Sequence, residues 1–211
     1  EISFFLENFK KNKHDLAIKR GIYIYGQPGS GKTYFIKELL YKLGYDIITY
    51  DAGDIRNKSV IDNITQNNMT DTNVLSLLYK KRKPLVIIMD EIDGMNNGDK
   101  GGINSLIKLI RPKKTRKQKL EEISYIPIIC IGNYHIDKKI NELIKVCLCI
   151  QFPTPTDLQI TTILKQTILN NCLDNDILKN IINYIQNDIG KLMLILKLYK
   201  KNSNIFLNKN I

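Results

Sequence analysis

The chain has 211 residues, of which 43% are hydrophobic and 25% are charged, a balance typical of one α/β domain with a small appendage. Its formal net charge of +11 favours a polyanionic partner, nucleic acid before a membrane; a generally lysine-rich composition is the alternative. It contains no secretory segment and no apolar run of the roughly 18 residues that suggest a membrane-spanning helix, so we expect no membrane partner. The chain begins at Glu1 rather than Met, which predicts a fragment or a processed piece.

A glycine-rich loop between a strand and a helix is the most informative pattern in the first part of the chain. Apolar spacing predicts an amphipathic helix over 2–11, a buried strand over 22–26 and a second helix over 34–43. Between the strand and the second helix lies a match to G-x-x-x-x-G-K-[ST], here called the phosphate loop. Its residues are Gly26, Gln27, Pro28, Gly29, Ser30, Gly31, Lys32 and Thr33.

The phosphate loop predicts a nucleoside triphosphate site. Its glycines let backbone N–H groups turn towards phosphate oxygens, and the N-terminus of the next helix adds partial positive charge. We expect Lys32 to reach the β- and γ-phosphates and Thr33 to ligate Mg²⁺. A glycine-rich turn that binds nothing is the alternative, and the strand before the loop and the helix after it argue against that.

Strands and helices alternate through the rest of the first 150 or so residues, which predicts an α/β fold with a three-layer, mostly parallel sheet. Gly44 is the expected end of the second helix. The further predicted elements are a strand over 46–50, helices over 59–66 and 73–81, a strand over 85–90, a helix over 101–110, and strands over 126–131 and 146–152. Ligands bind such sheets at the carboxyl ends of the strands, where Gly26, Asp90 and Asn133 are expected.

Two carboxylates follow the most apolar of these strands. The run 85–90 has no polar alternation before its end, which is typical of a parallel strand buried on both faces. Asp90 is expected to hold the Mg²⁺ through water, and Glu91 to orient or deprotonate the attacking water. An acidic strand end that caps a helix is the alternative.

The pattern changes after Pro153 and Pro155, where the strands stop. Helices are predicted over 156–169, 176–186 and 189–200, with N-caps at Thr156-Asp157 and Asp174. We therefore expect two domains, an α/β core over 1–153 and a small three-helix domain over 154–211.

Two other sets of residues carry weaker signals. The segment 113–119 has five basic residues in seven, and it is either a solvated surface loop or a nucleic-acid contact. The cysteines lack the paired spacing of a zinc site and are expected to be reduced, buried thiols of an intracellular protein. They are Cys130, Cys147, Cys149 and Cys172.

Several blocks of the sequence resemble the AAA+ ATPases and, within them, the large subunits of replication factor C, the sliding-clamp loader. The blocks are 43–45 with 51–59, 89–95 with 101–103, 126–130 with Asn133, and 147–153. The resemblance implies a P-loop AAA+ core followed by a helical lid, with ATP and Mg²⁺ as ligands. It further implies ATP-dependent loading of a sliding clamp on primer–template DNA by a hetero-oligomer with small clamp-loader subunits. Such a complex works in the nucleus, or at a viral replication site if the source is a large DNA virus, which the Asn, Ile and Lys bias suggests.

The resemblance also implies roles for single residues. Asn133 stands in the place of the first sensor, whose amide helps to position the attacking water near the γ-phosphate. Arg56, Lys58, Lys108 and Arg111 lie at or near helices that face DNA in the family, and surface salt bridging is the alternative for each.

The sequence departs from the family at three places. Lys145-Val146-Cys147 stands where small clamp-loader subunits carry an arginine finger, which large subunits also lack. Asp188-Ile189 is followed by Gly190-Lys191, where the lid usually offers an arginine, and a lysine is a point charge rather than a planar fork. Residues 113–125 are expected to be an insertion. Two alternatives stay open: another AAA+ machine, such as an initiator, helicase loader or remodeller, and an ATP-binding structural subunit with weak hydrolysis.

Overall fold

A computed structural model describes residues 1–51, 83–97, 102–119, 124–133, 138–168 and 175–201 of the chain. The strands are β1 (Gly21–Tyr25), β2 (Asp46–Tyr50), β3 (Leu85–Met89), β4 (Ile128–Gly132) and β5 (Leu148–Gln151). The α-helices are α1 (Ile2–Asn12), α2 (Lys32–Lys42), α3 (Gly102–Ile110), α4 (Arg116–Lys119), α5 (Lys138–Val146), α6 (Asp157–Thr167), α7 (Asn175–Ile185) and α8 (Ile189–Lys201). A 3₁₀ helix (Ile92–Asn97) follows β3.

The strands of the described residues form one parallel sheet in the order β2–β3–β4–β1–β5. The carboxyl ends of parallel strands share one edge, here called the carboxyl edge. Tyr25 pairs with Gly132 and Met89 pairs with Cys130, so the chain leaves β1, β3 and β4 at this edge. The α/β fold and the parallel sheet predicted from the sequence are therefore confirmed.

Both faces of the central strands are buried, as their apolar sequences predict. Every residue of β3 is at most 7% exposed. One face packs against α3 and α5 in a single apolar cluster, which includes Tyr23, Ile87, Met89, Ile128 and Cys130 of the strands and Ile103, Leu106, Ile110, Ile140 and Leu143 of the helices. The residues that alternate with them are buried as well: Ile22, Ile24, Val86, Ile88, Ile129 and Ile131.

Helices α6, α7 and α8 share a second apolar cluster of their own. Its buried members are Ile160, Leu164, Ile168, Ile181, Ile185, Leu192, Ile195 and Leu196. Thr156 begins α6 with a capping box: its Oγ1 accepts the N–H of Gln159, whose Oε1 accepts the N–H of Thr156. This confirms the N-cap predicted at Thr156.

The chain divides into two compact units. The first, here called the sheet unit, comprises Glu1–Tyr25 and Thr33–Gln151; the second, here called the helical unit, comprises Gly26–Lys32 and Phe152–Ile211. Most of the phosphate loop therefore groups with the helices rather than with the strands. The domains expected at 1–153 and 154–211 stay a prediction.

The predicted and observed elements differ most around Val146. The strand predicted over 146–152 begins at Leu148, and Val146 instead ends α5, for which the sequence analysis predicts no helix. Ile140 and Leu143 bury one face of α5 at helical spacing, so its tertiary packing outweighs the strand propensity of Val146. The helices predicted over 59–66 and 73–81 lie outside the described residues, as does the N-cap predicted at Asp174. No helix among the described residues is long and apolar enough to span a membrane.

Candidate functional site

Thr33 and Asp90 form a hydroxyl–carboxylate pair at the carboxyl edge. Thr33 lies in the first turn of α2 and Asp90 follows β3, and Thr33 Oγ1 donates to Asp90 Oδ1 over 3.2 Å. The same Oδ1 accepts the backbone N–H of Glu91 at 3.0 Å. A hydroxyl and a carboxylate oxygen are ligands that suit Mg²⁺, so the residues fit the metal that the sequence predicts here.

Glu91 adopts a backbone conformation that is uncommon for a residue with a side chain. Its φ is 51°, within the left-handed region, and its carbonyl accepts the N–H of Gly94 at the start of the 3₁₀ helix. Such conformations cost free energy, and the surrounding structure must maintain them. The turn leaves the Glu91 side chain exposed beside Asp90, where a water-activating carboxylate would be accessible.

Asn133 is held at the carboxyl edge through Asp93, which the sequence analysis did not select. Asp93 Oδ2 accepts the backbone N–H of Asn133. The Tyr23 hydroxyl lies 3.4 Å from Asp93 Oδ1 and 3.3 Å from the backbone oxygen of Asn133. Burial and, after it, the neighbouring Asp93 carboxylate raise the pKa of Tyr23 well above its usual range, so the hydroxyl keeps its proton and can donate it.

The phosphate loop has the backbone expected of an anion-binding turn. Gly29 and Gly31 have φ of 74° and 84°, a region that residues with a Cβ rarely adopt. Lys32 is only 8% exposed, and its Nζ donates to the loop's own carbonyls, Gly26 O at 2.9 Å and Gln27 O at 2.8 Å. The Lys32 charge is thus held inside the loop by neutral acceptors, which an anionic phosphate can replace with stronger, charge-assisted bonds.

Within the helical unit, the phosphate loop contacts the N-terminus of α8. Ile189 N donates to Gly29 O at 2.7 Å, and a Cβ on Gly29 would lie 2.6 Å from Asp188 Cγ. Asp188 Oδ1 in turn accepts the N–H groups of Gly190 and Lys191 and so caps α8. The contact role of Asp188 had no signal in the sequence beyond its position before an apolar helix.

The Lys191 ammonium is occupied by groups of the helical unit. Its Nζ lies 3.3 Å from Tyr184 O, 3.2 Å from Gln186 Oε1 and 5.4 Å from the centroid of the Tyr184 ring. These contacts fix the ammonium on the side of the α7–α8 turn.

The predicted basic contacts are only partly within the described residues. Arg56 and Lys58 lie outside them. Lys108 is exposed on α3 and Arg111 is half-buried just after it. The interpretation of 113–119 as a uniformly solvated loop is wrong at Lys113, which is 3% exposed and donates from Nζ to Lys108 O at 2.6 Å. The exposed or half-buried cations of the segment, around the short helix α4, are Lys114, Arg116, Lys117 and Lys119.

The cysteine prediction holds for two of the three described thiols. Cys130 and Cys147 are buried, and burial raises the pKa of Cys130 to about 12. Cys149 is exposed, so the expectation of a buried thiol is wrong there: β5 is an edge strand, and one of its faces is left open. Cys172 lies outside the described residues.

Comparison with known proteins agrees with this geometry. Residues 22–153 match the family described as "ATPase family associated with various cellular activities (AAA)". Replication factor C subunit 1 of Saccharomyces cerevisiae is 29% identical over 97% of this chain and 24% of its own length. Subunit 1 of Schizosaccharomyces pombe is 35% identical over 70% of this chain and 16% of its own, and the replication factor C large subunit of Nanoarchaeum equitans is 28% identical over 77% and 33%.

The chain thus spans about a quarter of the yeast relative, and it resembles replication factor C large subunits along almost all of its own length. The family match covers β1 to β5, including the phosphate loop, Asp90, Glu91 and Asn133. This chain belongs to the AAA family of ATPases.

Proposed function

We propose that this chain is the ATPase module of a clamp-loader large subunit. In this proposal it binds and hydrolyses ATP in a hetero-oligomer with small clamp-loader subunits, which loads a sliding clamp on primer–template DNA. The observation that carries the proposal is the likeness to replication factor C subunit 1, which extends over 97% of the chain. The nucleus is the proposed place of action, or a viral replication site if the source is a virus.

The nucleotide is proposed to bind through the phosphate loop. Backbone N–H groups of residues 26–33 would surround the phosphate oxygens, and Lys32 would exchange its bonds with Gly26 O and Gln27 O for bonds to the β- and γ-phosphates. Thr33 and Asp90 would hold Mg²⁺, which neutralises phosphate charge when it is bound.

Hydrolysis is proposed to depend on two residues of the carboxyl edge. Glu91 would accept a proton from the attacking water or orient it, and its exposed position beside Asp90 supports that role. The Asn133 amide would help to place the same water, and its backbone is anchored by Asp93. The transition state also gathers negative charge on the transferred phosphoryl group, which a cation must stabilise.

That cation is proposed to come from a neighbouring subunit. The stretch that would carry an arginine finger reads Lys145-Val146-Cys147, and Lys145 is exposed in the last turn of α5. A hetero-oligomer would supply the missing group in trans, as arginine fingers do in other nucleoside triphosphatases.

The experiment that tests this proposal is reconstitution. The chain is mixed with small clamp-loader subunits, a ring clamp and primed circular DNA, and the clamp retained on the DNA is measured with and without ATP. The proposal predicts ATP-dependent retention that Lys32→Ala abolishes, with Lys191→Ala as the charge-matched control. Failure of the chain to associate with any small subunit or clamp would contradict it.

A second candidate is an ATP-binding structural subunit with weak hydrolysis. The observation that favours it is Lys191, whose ammonium is engaged by Tyr184 O and Gln186 Oε1. If no lid cation responds to the γ-phosphate, ATP would stabilise the assembly without rapid turnover. Retention of the clamp that persists when Glu91 is changed to Gln, with no turnover in either form, would favour this candidate.

A further inference from the structure

A buried hydrogen-bonded cluster behind the carboxyl edge joins the turn after Glu91 to the end of β4. Its members are Tyr23 on β1, Asp93 in the 3₁₀ helix and Asn133 after β4. Tyr23 is 2% exposed and lies in an apolar strand. A phenol at such a position is retained at a cost unless its hydroxyl is satisfied, and here it is satisfied by Asp93 and Asn133.

The cluster engages both backbone groups of Asn133. The N–H donates to Asp93 Oδ2, and the carbonyl lies 3.3 Å from the Tyr23 hydroxyl, which is also 3.4 Å from Asp93 Oδ1. One carboxylate therefore bridges the backbone of Asn133 and the hydroxyl of Tyr23. The backbone from which the Asn133 side chain projects is held from two sides.

The neighbouring glycine leaves room for this arrangement. A Cβ on Gly132 would lie 2.7 Å from Asp93 Oδ1 and 2.7 Å from the Tyr23 hydroxyl oxygen. Any larger residue at this position would push the carboxylate and the phenol apart. The space at Gly132 and the two bonds of Tyr23 are separate observations that point to the same contact.

We propose that Tyr23 and Asp93 are positioning residues for hydrolysis, which set Asn133 and the turn carrying Glu91 in one fixed relation. This inference rests on the proposed function, because it assigns the cluster to ATP hydrolysis. Asp93 lies two residues after Glu91, so the bond from Asp93 to Asn133 fixes both water-positioning groups at once. Loss of the cluster is expected to slow the chemical step and to leave phosphate binding intact, since none of these bonds involves the phosphate loop.

The test separates kcat, KM, ATP affinity and thermal unfolding in single variants of the full chain, assayed with its partner subunits. Tyr23→Phe removes one hydroxyl, and we expect kcat to fall roughly fivefold to tenfold while the Kd for ATP stays within about twofold. Tyr41→Phe removes a hydroxyl from a tyrosine that is 63% exposed on α2 and should change neither quantity. Asp93→Ala should lower kcat further than Tyr23→Phe.

Two more variants distinguish positioning from stability alone. Asp93→Asn keeps an oxygen for the Asn133 N–H and an amide beside the Tyr23 hydroxyl, so it should recover most of the kcat that Asp93→Ala loses. Gly132→Ala should lower kcat without removing a polar group. An unchanged kcat in Tyr23→Phe, whether or not the melting temperature falls, would overturn the inference and leave the proposed function standing. An absence of ATP turnover in the unsubstituted chain with its partners would overturn the proposed function and this inference with it.

Discussion

The sheet unit and the helical unit hold their functional groups in different ways. In the sheet unit, side chains bond to one another: Thr33 to Asp90, and Tyr23 to Asp93. In the helical unit, the two cations Lys32 and Lys191 are bonded to backbone carbonyls of their own surroundings. The first arrangement is set before a ligand arrives, whereas the second offers charges that a phosphate must draw away from neutral acceptors. The difference assigns water and metal positioning to the sheet unit, and phosphate binding to the loop.

The largest effect that tests this contrast is expected from Glu91→Gln. The amide keeps the shape of the side chain and loses the base, so turnover in the assembled complex should fall roughly 10²–10⁴-fold. ATP affinity should be retained, because Asp90 and the phosphate loop are unchanged. Hydrolysis rates together with calorimetry measure both quantities. Glu142→Gln, at an exposed carboxylate of α5, is the control; turnover at the parent rate in Glu91→Gln would remove Glu91 from the mechanism.

The next effect is expected from Lys32→Ala. Removing the ammonium leaves the β- and γ-phosphates under-neutralised, which should cost about 3 kcal/mol, or roughly a hundredfold in the Kd for ATP. Lys191→Ala removes the same charge from the helical unit and should leave the Kd nearly unchanged, because Tyr184 O and Gln186 Oε1 already engage that ammonium. Calorimetric titration of ATP decides between them. Equal losses in the two variants would show that Lys191 senses the nucleotide after all.

Helix caps provide a smaller test within the helical unit. Asp188→Ala removes the acceptor for the N–H groups of Gly190 and Lys191, and should lower the free energy of unfolding by about 1 kcal/mol. Because Ile189 N also holds Gly29 O, loosening this end of α8 should weaken ATP binding too. Thr156→Ala, which removes the cap of α6, is the matched control and should lower stability alone. If both variants affect ATP binding alike, the contact of α8 with the loop has no special part in it.

The smallest and least specific effect concerns the basic segment. Neutralising Lys114, Arg116, Lys117 and Lys119 together should flatten the dependence of log K on log salt, by roughly 0.9 for each duplex phosphate that these cations neutralise. A control set of four exposed lysines elsewhere is Lys11, Lys42, Lys165 and Lys197. Binding to primer–template DNA is measured over a range of salt concentrations. A slope that the segment's variant leaves unchanged would identify these residues as an ordinary solvated surface.

Much of this architecture can be predicted from local pattern. The apolar run of β3 and the glycines of the phosphate loop predict a buried parallel strand and an anion-binding turn, and both are present. Helix α5 escapes prediction because Val146 belongs by alternation to the following strand, although α5 packs Ile140 and Leu143 into the core. Lys113 has the sequence context of one more surface cation, yet its ammonium donates to Lys108 O and the residue is buried.

The contacts that position the site are the least predictable part. Tyr23 and Asp93 are 70 residues apart in the chain, and only the order of β1 beside β4 brings them together. Gly29 and Asp188 are further apart still, and no local pattern links them. Periodicity gives the faces of strands and helices, but it carries no information on which side chains from distant elements share hydrogen bonds.

The central claim is that this chain carries an ATPase site whose last cation comes from a neighbouring subunit. The most direct test is the rate of ATP hydrolysis by the pure chain, measured over a range of chain concentrations, against the rate with small clamp-loader subunits, clamp and primed DNA. We predict slow turnover alone and a rise of roughly 10³–10⁵-fold in the assembly, the range seen for fingers supplied in trans. Rapid turnover by the isolated chain, independent of its concentration and unchanged by the partners, would contradict the claim.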